Sequence, residues 1–328
     1  MTLITPSYIS NDNWKDFLTK RALRIIPLYW LLSLFSLLVS TSRGGQIPFE
    51  KIMKTLLFFP VFDDAFTFPI IPVGWSLSLE IYFYGIVALL LAFAGRHIYK
   101  VLILLLLGCP ALGYLLKPES QLLRFLLSPM LCEFAFGVLA GLIFKQVNAT
   151  RSELNIPKLQ RFAIGATVLG FGLMLLNLFT GFGQIDDAVK VSEHPEVAFL
   201  RVAVWGVPCS IFLTGFVLME NLFQFKMPKY FVKLGDASYS CYLLHTTILI
   251  PLAMKIFRIS DFQNGDIYVF FSMTAILCCS LAFYEWGEKY LNRIIHSSYL
   301  SKKNASRNLL PLQSPVANKE ASKFRKAS

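Results

Sequence analysis

Apolar stretches of about 20 residues recur along the chain, at 162–180, 199–219 and 267–287 among others, and each has the length that crosses a bilayer core. A single water-soluble core cannot absorb so many of them. Hydrophobic residues make up 55% of the 328 positions and charged residues 16%, whereas soluble domains carry about 25% charged. Disordered, collagen-like, coiled-coil and disulfide-scaffold classes are thereby excluded. Hydrocarbon offers no partners to backbone N–H and C=O groups, and the alternation that barrel strands need is absent, so the spans are helices. The expected fold is all-α, a polytopic membrane helix bundle.

Eight spans are expected, at approximately 25–40, 75–94, 98–116, 122–144, 162–180, 199–219, 237–257 and 267–287. A ninth apolar stretch, 52–62, is too short and is closed by Pro60. With the segment before residue 25 in the cytoplasm, the outer face receives Arg43, Lys51, Lys54, Lys117, Arg124, Lys190, Arg201, Lys255 and Arg258, and every other Lys and Arg of the 31 lies inside. That asymmetry obeys the positive-inside rule and, with an even span count, returns the C-terminus to the cytoplasm. Residues 1–298 then form one membrane-embedded domain, and 299–328 a basic, disordered tail that can touch anionic headgroups. Asn148 and Asn304 match the glycosylation pattern only by chance, because both fall on the cytoplasmic side.

The net charge of +11 is spread over short loops and the tail, so it marks topology, and no nucleic-acid groove is implied. Six cysteines lie inside apolar spans without metal-ligand spacing and are expected to be packing residues; no metal site is expected. Two outer loops are long. The first, 41–74, carries Phe58, Phe59, Phe62, Phe66 and Phe68 and is expected to lie on the membrane surface. The second, 181–198, is acidic through Asp186, Asp187, Glu193 and Glu196 and is expected to be a solvated connection.

Ionisable groups inside spans cost about 2.5 to 3.5 kcal/mol each at the centre, so each needs a partner or a purpose. Glu80, Glu133, His245 and Glu285 are such groups. His245 can act as a general base near neutral pH or be a hydrogen-bonded structural histidine. Glu80 can orient such a histidine, hold a substrate hydroxyl, or make a protonated interhelical hydrogen bond. Glu133 shares a helix with Gly137 and Gly141 in GxxxG spacing and is assigned to helix packing, and Glu285 to the interface. Arg21 and Arg24, one turn apart with Lys20 beside them, suit phosphate groups or serve as a topology anchor. Most tyrosines and tryptophans near span ends fit an aromatic belt, but Trp75, Ser76 and Ser78 put hydrogen-bonding groups on the same helix start as Glu80. No P-loop, HExxH, GxSxG or dinucleotide fingerprint is present.

Three segments together resemble the membrane-bound acyltransferase family 3, a bacterial group that acylates sugars of surface glycans. Residues 17–30 (FLTKRALRIIPLYW) are similar to its basic segment, 74–84 (GWSLSLEIYFY) to its WSLS-x-E motif, and 238–245 (SYSCYLLH) to its late SYS-x-Y-L-x-H motif. The likeness implies an inner-membrane enzyme that moves an acyl group, commonly acetyl, from cytoplasmic acyl-CoA (acetyl-CoA) to a carbohydrate acceptor such as a polysaccharide or lipid-linked glycan. It implies that Arg21 and Arg24 handle the CoA phosphates, that Trp75, Ser76, Ser78, Glu80 and Tyr239 belong to the core motif, and that His245 is a catalytic candidate with Glu80. It also implies ten helices, the first bearing an Arg and an essential His. Eight spans here and the uncharged Met1–Ser10, which reads like the end of a helix, therefore lead to the expectation of N-terminal truncation, with acyl transfer absent from these 328 residues alone.

Two other classes compete. A transporter or flippase for a lipid-linked glycan would use Glu80, Glu133 and His245 as a polar path, but the chain shows neither repeats nor paired broken helices. A non-catalytic membrane subunit is the third. Reporter fusions behind Arg24 are expected to give cytoplasmic signals, and fusions within 41–74 external ones; an external signal behind Arg24 would overturn the topology.

Overall fold

Helix α1 (Trp14–Ser42) is longer than its apolar span, because the basic run Lys15–Arg24 joins it as one continuous 29-residue helix. At 1.5 Å per residue it is about 44 Å long, well beyond the roughly 30 Å hydrocarbon core, so Lys20, Arg21 and Arg24 sit on a helical extension. The structure, a computed structural model, describes residues 14–58, 68–181, 188–249, 265–295 and 297. Expectations for Met1–Ser10, Phe59, Phe62, Phe66, Asp186, Asp187, span 237–257 beyond Leu249, and the tail 299–328 lie outside these residues.

After α1 come α2 (Phe49–Leu56), α3 (Gly74–Phe93), α4 (Ile98–Leu116), α5 (Gln121–Leu126), α6 (Leu131–Ala149) and α7 (Ile156–Thr180). The later helices are α8 (Ala188–Glu193), α9 (Pro195–Arg201), α10 (Val207–Phe223), α11 (Lys229–Asp236), α12 (Ser238–Leu244) and α13 (Gly265–Phe283). No strand occurs among the described residues, so the fold is all-α as expected. Seven helical runs are long and apolar enough to span: Trp14–Ser42, Gly74–Phe93, Ile98–Leu116, Gln121–Ala149, Ile156–Thr180, Pro195–Phe223 and Phe270–Ile295. They coincide with seven of the eight expected spans. Large apolar side chains face outward on them, among them Phe93, Leu115 and Phe179, each more than three-quarters exposed, which in water would be a severe cost and in lipid is none.

Local chemistry fixes the helix ends. Asn155 caps α7 by accepting from the Lys158 N–H at 3.1 Å, with Pro157 in the first turn, and Gly181 closes the helix in the left-handed conformation at φ 64°. Pro208 lacks an N–H, so the carbonyl four residues earlier, that of Val204, has no helical donor. A π turn at Val202–Gly206 absorbs the irregularity between α9 and α10, and the Asn177 side-chain amide on α7 donates to the freed Val204 carbonyl.

The same pair of helices makes the closest backbone approach. A Cβ on Gly215 would lie 2.6 Å from the Thr167 nitrogen and 2.9 Å from the Ala163 oxygen, and one on Gly170 would lie 2.7 Å from the Pro208 oxygen. A Cβ on Gly141 would meet nothing within 4 Å, so half of the GxxxG pair in α6 makes no such approach. The expected role of that motif is corrected: tight packing belongs to α7 and α10.

Loop 41–74 also departs from expectation. Phe58 turns inward through a left-handed φ of 59° and packs against Tyr29 with ring centroids 4.6 Å apart and planes tilted by 32°, instead of lying on the membrane surface. Trp30 Nε1 donates to the Leu56 carbonyl at 2.8 Å, and the Ile70 N–H donates to Thr55 Oγ1 at 3.3 Å, so the connection folds back on α1. Cys132 is buried as a packing cysteine should be, whereas Cys209, Cys278 and Cys279 are exposed on the chain's surface.

The chain divides into two compact units, Met1–Leu281 and Ala282–Ser328. Within the second, Lys289 pairs with Glu285 at 3.1 Å and Asn292 donates to Glu288 at 3.4 Å, each one helical turn apart. Gly215→Val is expected to destabilise the purified chain by about 2–3 kcal/mol, because its new atoms meet backbone that cannot yield, while Gly141→Ala is expected to be neutral or stabilising. Thermal unfolding in detergent reads both.

Candidate functional site

Residues 76, 80 and 84 stand one turn apart on α3, so Ser76, Glu80 and Tyr84 share a face. That face meets α1. The Tyr84 hydroxyl donates to Glu80 Oε1, and the Arg21 guanidinium carbon lies 5.4 Å from the centre of the Tyr84 ring and 5.5 Å from that of Phe17. Phe17 and Tyr84 meet edge to face at 5.9 Å, so the cation is held over aromatic faces one step from the carboxylate. Arg24 stands one turn beyond Arg21 on the same helix. Nearer the start of α3, Tyr29 is fully buried, and a Cβ on Gly74 would strike its hydroxyl, so the two helices can close here only because Gly74 has no side chain.

Helix α12 closes on both. Tyr239 donates from its hydroxyl to the carbonyl of Ile25 on α1 at 2.8 Å, two residues before Pro27. Tyr242 donates to the Val73 carbonyl at the start of α3 at 2.9 Å and is hydrogen-bonded to Ser76. Tyr242 also feels the charges of Glu80 and Arg201. The three segments singled out in the sequence, 17–30, 74–84 and 238–245, thus converge through tyrosine hydroxyls.

His245 opens a π turn at His245–Leu249 and is partly buried, its ring 5.9 Å from that of Tyr242. Its Nδ1 lies 3.1 Å from the Cys241 carbonyl. A carbonyl only accepts, so Nδ1 carries a proton and Nε2 is the ring nitrogen not used by this bond. Among the described residues no hydrogen bond joins Glu80 to His245; the bond that Glu80 makes is to Tyr84 on its own helix, neither the histidine-orienting nor the interhelical bond expected. The described residues hold no cluster of three or more His, Cys, Asp or Glu fit for a metal.

Not every candidate enters this cluster. Ser78 is buried and gives its hydroxyl to the Gly74 carbonyl at 3.3 Å, which ties it to its own helix. Trp75 packs with Leu79 on the other side of α3, against Met130, Val191 and Ala198. Ser76, Glu80, Arg21, Arg24 and Tyr239 are the sequence candidates that the α1–α3–α12 junction gathers, with His245 one turn beyond Tyr242.

Four participants are not among the sequence candidates: Tyr29, Tyr84, Tyr242 and Arg201. An aromatic belt accounts for most tyrosines near span ends, but Tyr29 and Tyr84 are buried inside the bundle, whereas Trp30 is 43% exposed as a belt residue should be. Arg201, placed among outer basic residues, pairs at 2.7 Å with Glu133, joining α9 to α6. Glu133 is therefore half of an ion pair. The signal was available as one acidic and one basic residue in two different apolar runs, each of which needs an opposite charge.

A model of the acyltransferase-3 family, described as an acyltransferase domain, matches residues 2–285. The exopolysaccharide production protein ExoZ of Rhizobium meliloti (strain 1021) is 25% identical over 238 residues, which cover 70% of this chain and 67% of that protein. No solved structure matches the chain. Removing one member of the half-buried pair, as in Arg201→Met, is expected to destabilise the chain by about 2 kcal/mol, because Glu133 is left unpaired. The double change with Glu133→Gln is expected to recover most of the loss; additive losses in a thermal-melt cycle would show that the pair is not coupled.

Proposed function

The chain belongs to the acyltransferase-3 family, and we propose that it is an integral membrane O-acyltransferase that moves an acetyl group from cytoplasmic acyl-CoA to a hydroxyl of a cell-surface or exported carbohydrate. The observation that carries this reading is the convergence of Arg21, Arg24, Glu80, Ser76 and Tyr242 where α1, α3 and α12 meet. The likeness to a protein named for exopolysaccharide production supports the acceptor class. The enzyme sits in the cytoplasmic membrane with Arg21 and Arg24 toward the cytoplasm, where the coenzyme is found.

In this reading the cationic extension of α1 receives the phosphates of the donor, two guanidinium groups one turn apart offering charge-assisted hydrogen bonds. The cation–π seat on Phe17 and Tyr84 holds Arg21 before the donor arrives, which lowers the ordering cost of binding. Transfer then forms a C–O bond between the sugar hydroxyl and the acyl carbon and breaks the C–S bond of the thioester. Where these 328 residues turn over by themselves, against the expectation drawn from the family's first-helix histidine, the hydroxyl proton goes to Nε2 of His245, and the departing thiolate takes up a proton as the thiol. Glu80 and Ser76, on one face of α3, accept from or donate to the sugar hydroxyls. Trp75, Ser78 and Tyr239 position α3 and α12 without touching the reacting atoms.

A strain lacking the gene is expected to lose sugar O-acetyl groups while glycan export continues; loss of export with acetylation intact would replace this reading with a flippase. Arg21→Gln with Arg24→Gln is expected to raise the KM for acyl-CoA at least about tenfold, since each lost charge-assisted bond is worth about 1.5–3 kcal/mol.

A further inference from the structure

A second polar site lies at the other end of α3 from the Arg21–Tyr84 contact. Where α4 ends, α5 turns into α6 and α8 passes into α9, the chain lines a cavity of about 250 Å³ that is open on one side. The acidic segment 181–198 was expected to be a solvated connection, yet its described half, Ala188 onward, is helical and forms one wall of this cavity. The segment is more than a connection: Val191 is buried in a cluster with Leu79 and Ala198, while Lys190, His194 and Glu196 stay exposed as a solvated segment's should, His194 and Glu196 at the rim of the cavity.

The lining is mixed in sign. Lys117, Arg124 and His194 supply donors, and Glu193 and Glu196 supply acceptors. Lys117 and Glu196 pair at 3.2 Å across the mouth, and Arg124 Nε donates to the Pro118 carbonyl at 2.8 Å, which fixes the plane of its guanidinium. A site for phosphate or carboxylate would show surplus positive charge, as the Arg21–Arg24 face does. Balanced donors and acceptors instead match hydroxyl groups, which do both. Leu127, Val191 and Pro129 add apolar surface of the kind on which the C–H face of a sugar ring packs. The volume falls just under the roughly 300–1,000 Å³ of pockets for drug-sized ligands, which suits one pyranose ring.

Position completes the argument. Val191 belongs to the cavity wall and also packs in the cluster that contains Leu79 and Trp75, the neighbours of Glu80 and Ser76 on α3. Trp75 is nine residues from Tyr84, about 13 Å along the helix, with Glu80 between them. We propose that this cavity is the subsite for a neutral, hydroxyl-rich sugar unit of the acceptor, held by Arg124, His194, Glu193 and Glu196. The assignment rests on the acyltransferase reading for the word acceptor, but the sugar subsite itself does not.

The test uses the full chain in detergent and the rate at which diethyl pyrocarbonate modifies His194, read by peptide mass spectrometry. His97, exposed and absent from the cavity lining, serves as the internal control. Methyl β-glucoside or methyl β-galactoside at about twice its Kd is expected to slow His194 about threefold and leave His97 unchanged. Arg124→Gln, if folded, is expected to abolish the protection. Failure of both glycosides to protect, equal protection by inorganic phosphate, or protection retained in Arg124→Gln would overturn the subsite. The two readings fail separately. Protection in detergent without label transfer from acetyl-CoA to glycan in membranes that hold the chain removes the acyltransferase reading alone, and transfer without protection removes the subsite alone.

Discussion

A hydroxyl or guanidinium placed in hydrocarbon must find a partner inside the protein, and this requirement organises the described bundle. Tyr239 and Tyr242 meet it by bonding across to α1 and α3, and Arg201 meets it with Glu133. Each satisfied group becomes a strut between helices that the hydrophobic effect, weak between lipid-bathed surfaces, would not hold in one register. Where no polar group is available, small residues replace it. Gly170 and Gly215 let α7 and α10 touch backbone to backbone, and Asn177 closes the remaining gap at the Val204 carbonyl.

The consequence for the site is a division of labour along α3. One face, with Ser76, Glu80 and Tyr84, looks to the helices that bring cations and hydroxyls. The other face, with Trp75 and Leu79, is seated in an apolar cluster shared with α6, α8 and α9. The Tyr84 hydroxyl fixes the direction of the Glu80 carboxylate on the first of these faces.

Much of this was legible in the residues. Span length and the scarcity of charge were enough to define an all-helical membrane bundle, and seven of eight spans fall where apolar length placed them. The segments around Arg21, Glu80 and His245 stood out because polar groups are costly there. Three kinds of feature were not legible, for physical reasons. Helix α1 began early because its basic turn has good helix propensity and simply continues the span, a boundary that hydropathy does not mark. Tyr29, Tyr84 and Tyr242 look alike in sequence whether they lie at headgroups or inside the bundle, since the distinction is rotational. The GxxxG spacing in α6 was misleading because glycine shows where close approach is possible, and only the neighbouring helix decides whether it happens.

Both tyrosines of α12 spend their protons on main-chain oxygens, those of Ile25 and Val73. Such anchors are indifferent to which side chains the facing helices carry. Chemistry at the junction can therefore be rewritten by single replacements while the scaffold keeps its alignment, so that preference for one acyl donor or acceptor over another is open to drift without re-docking the helices.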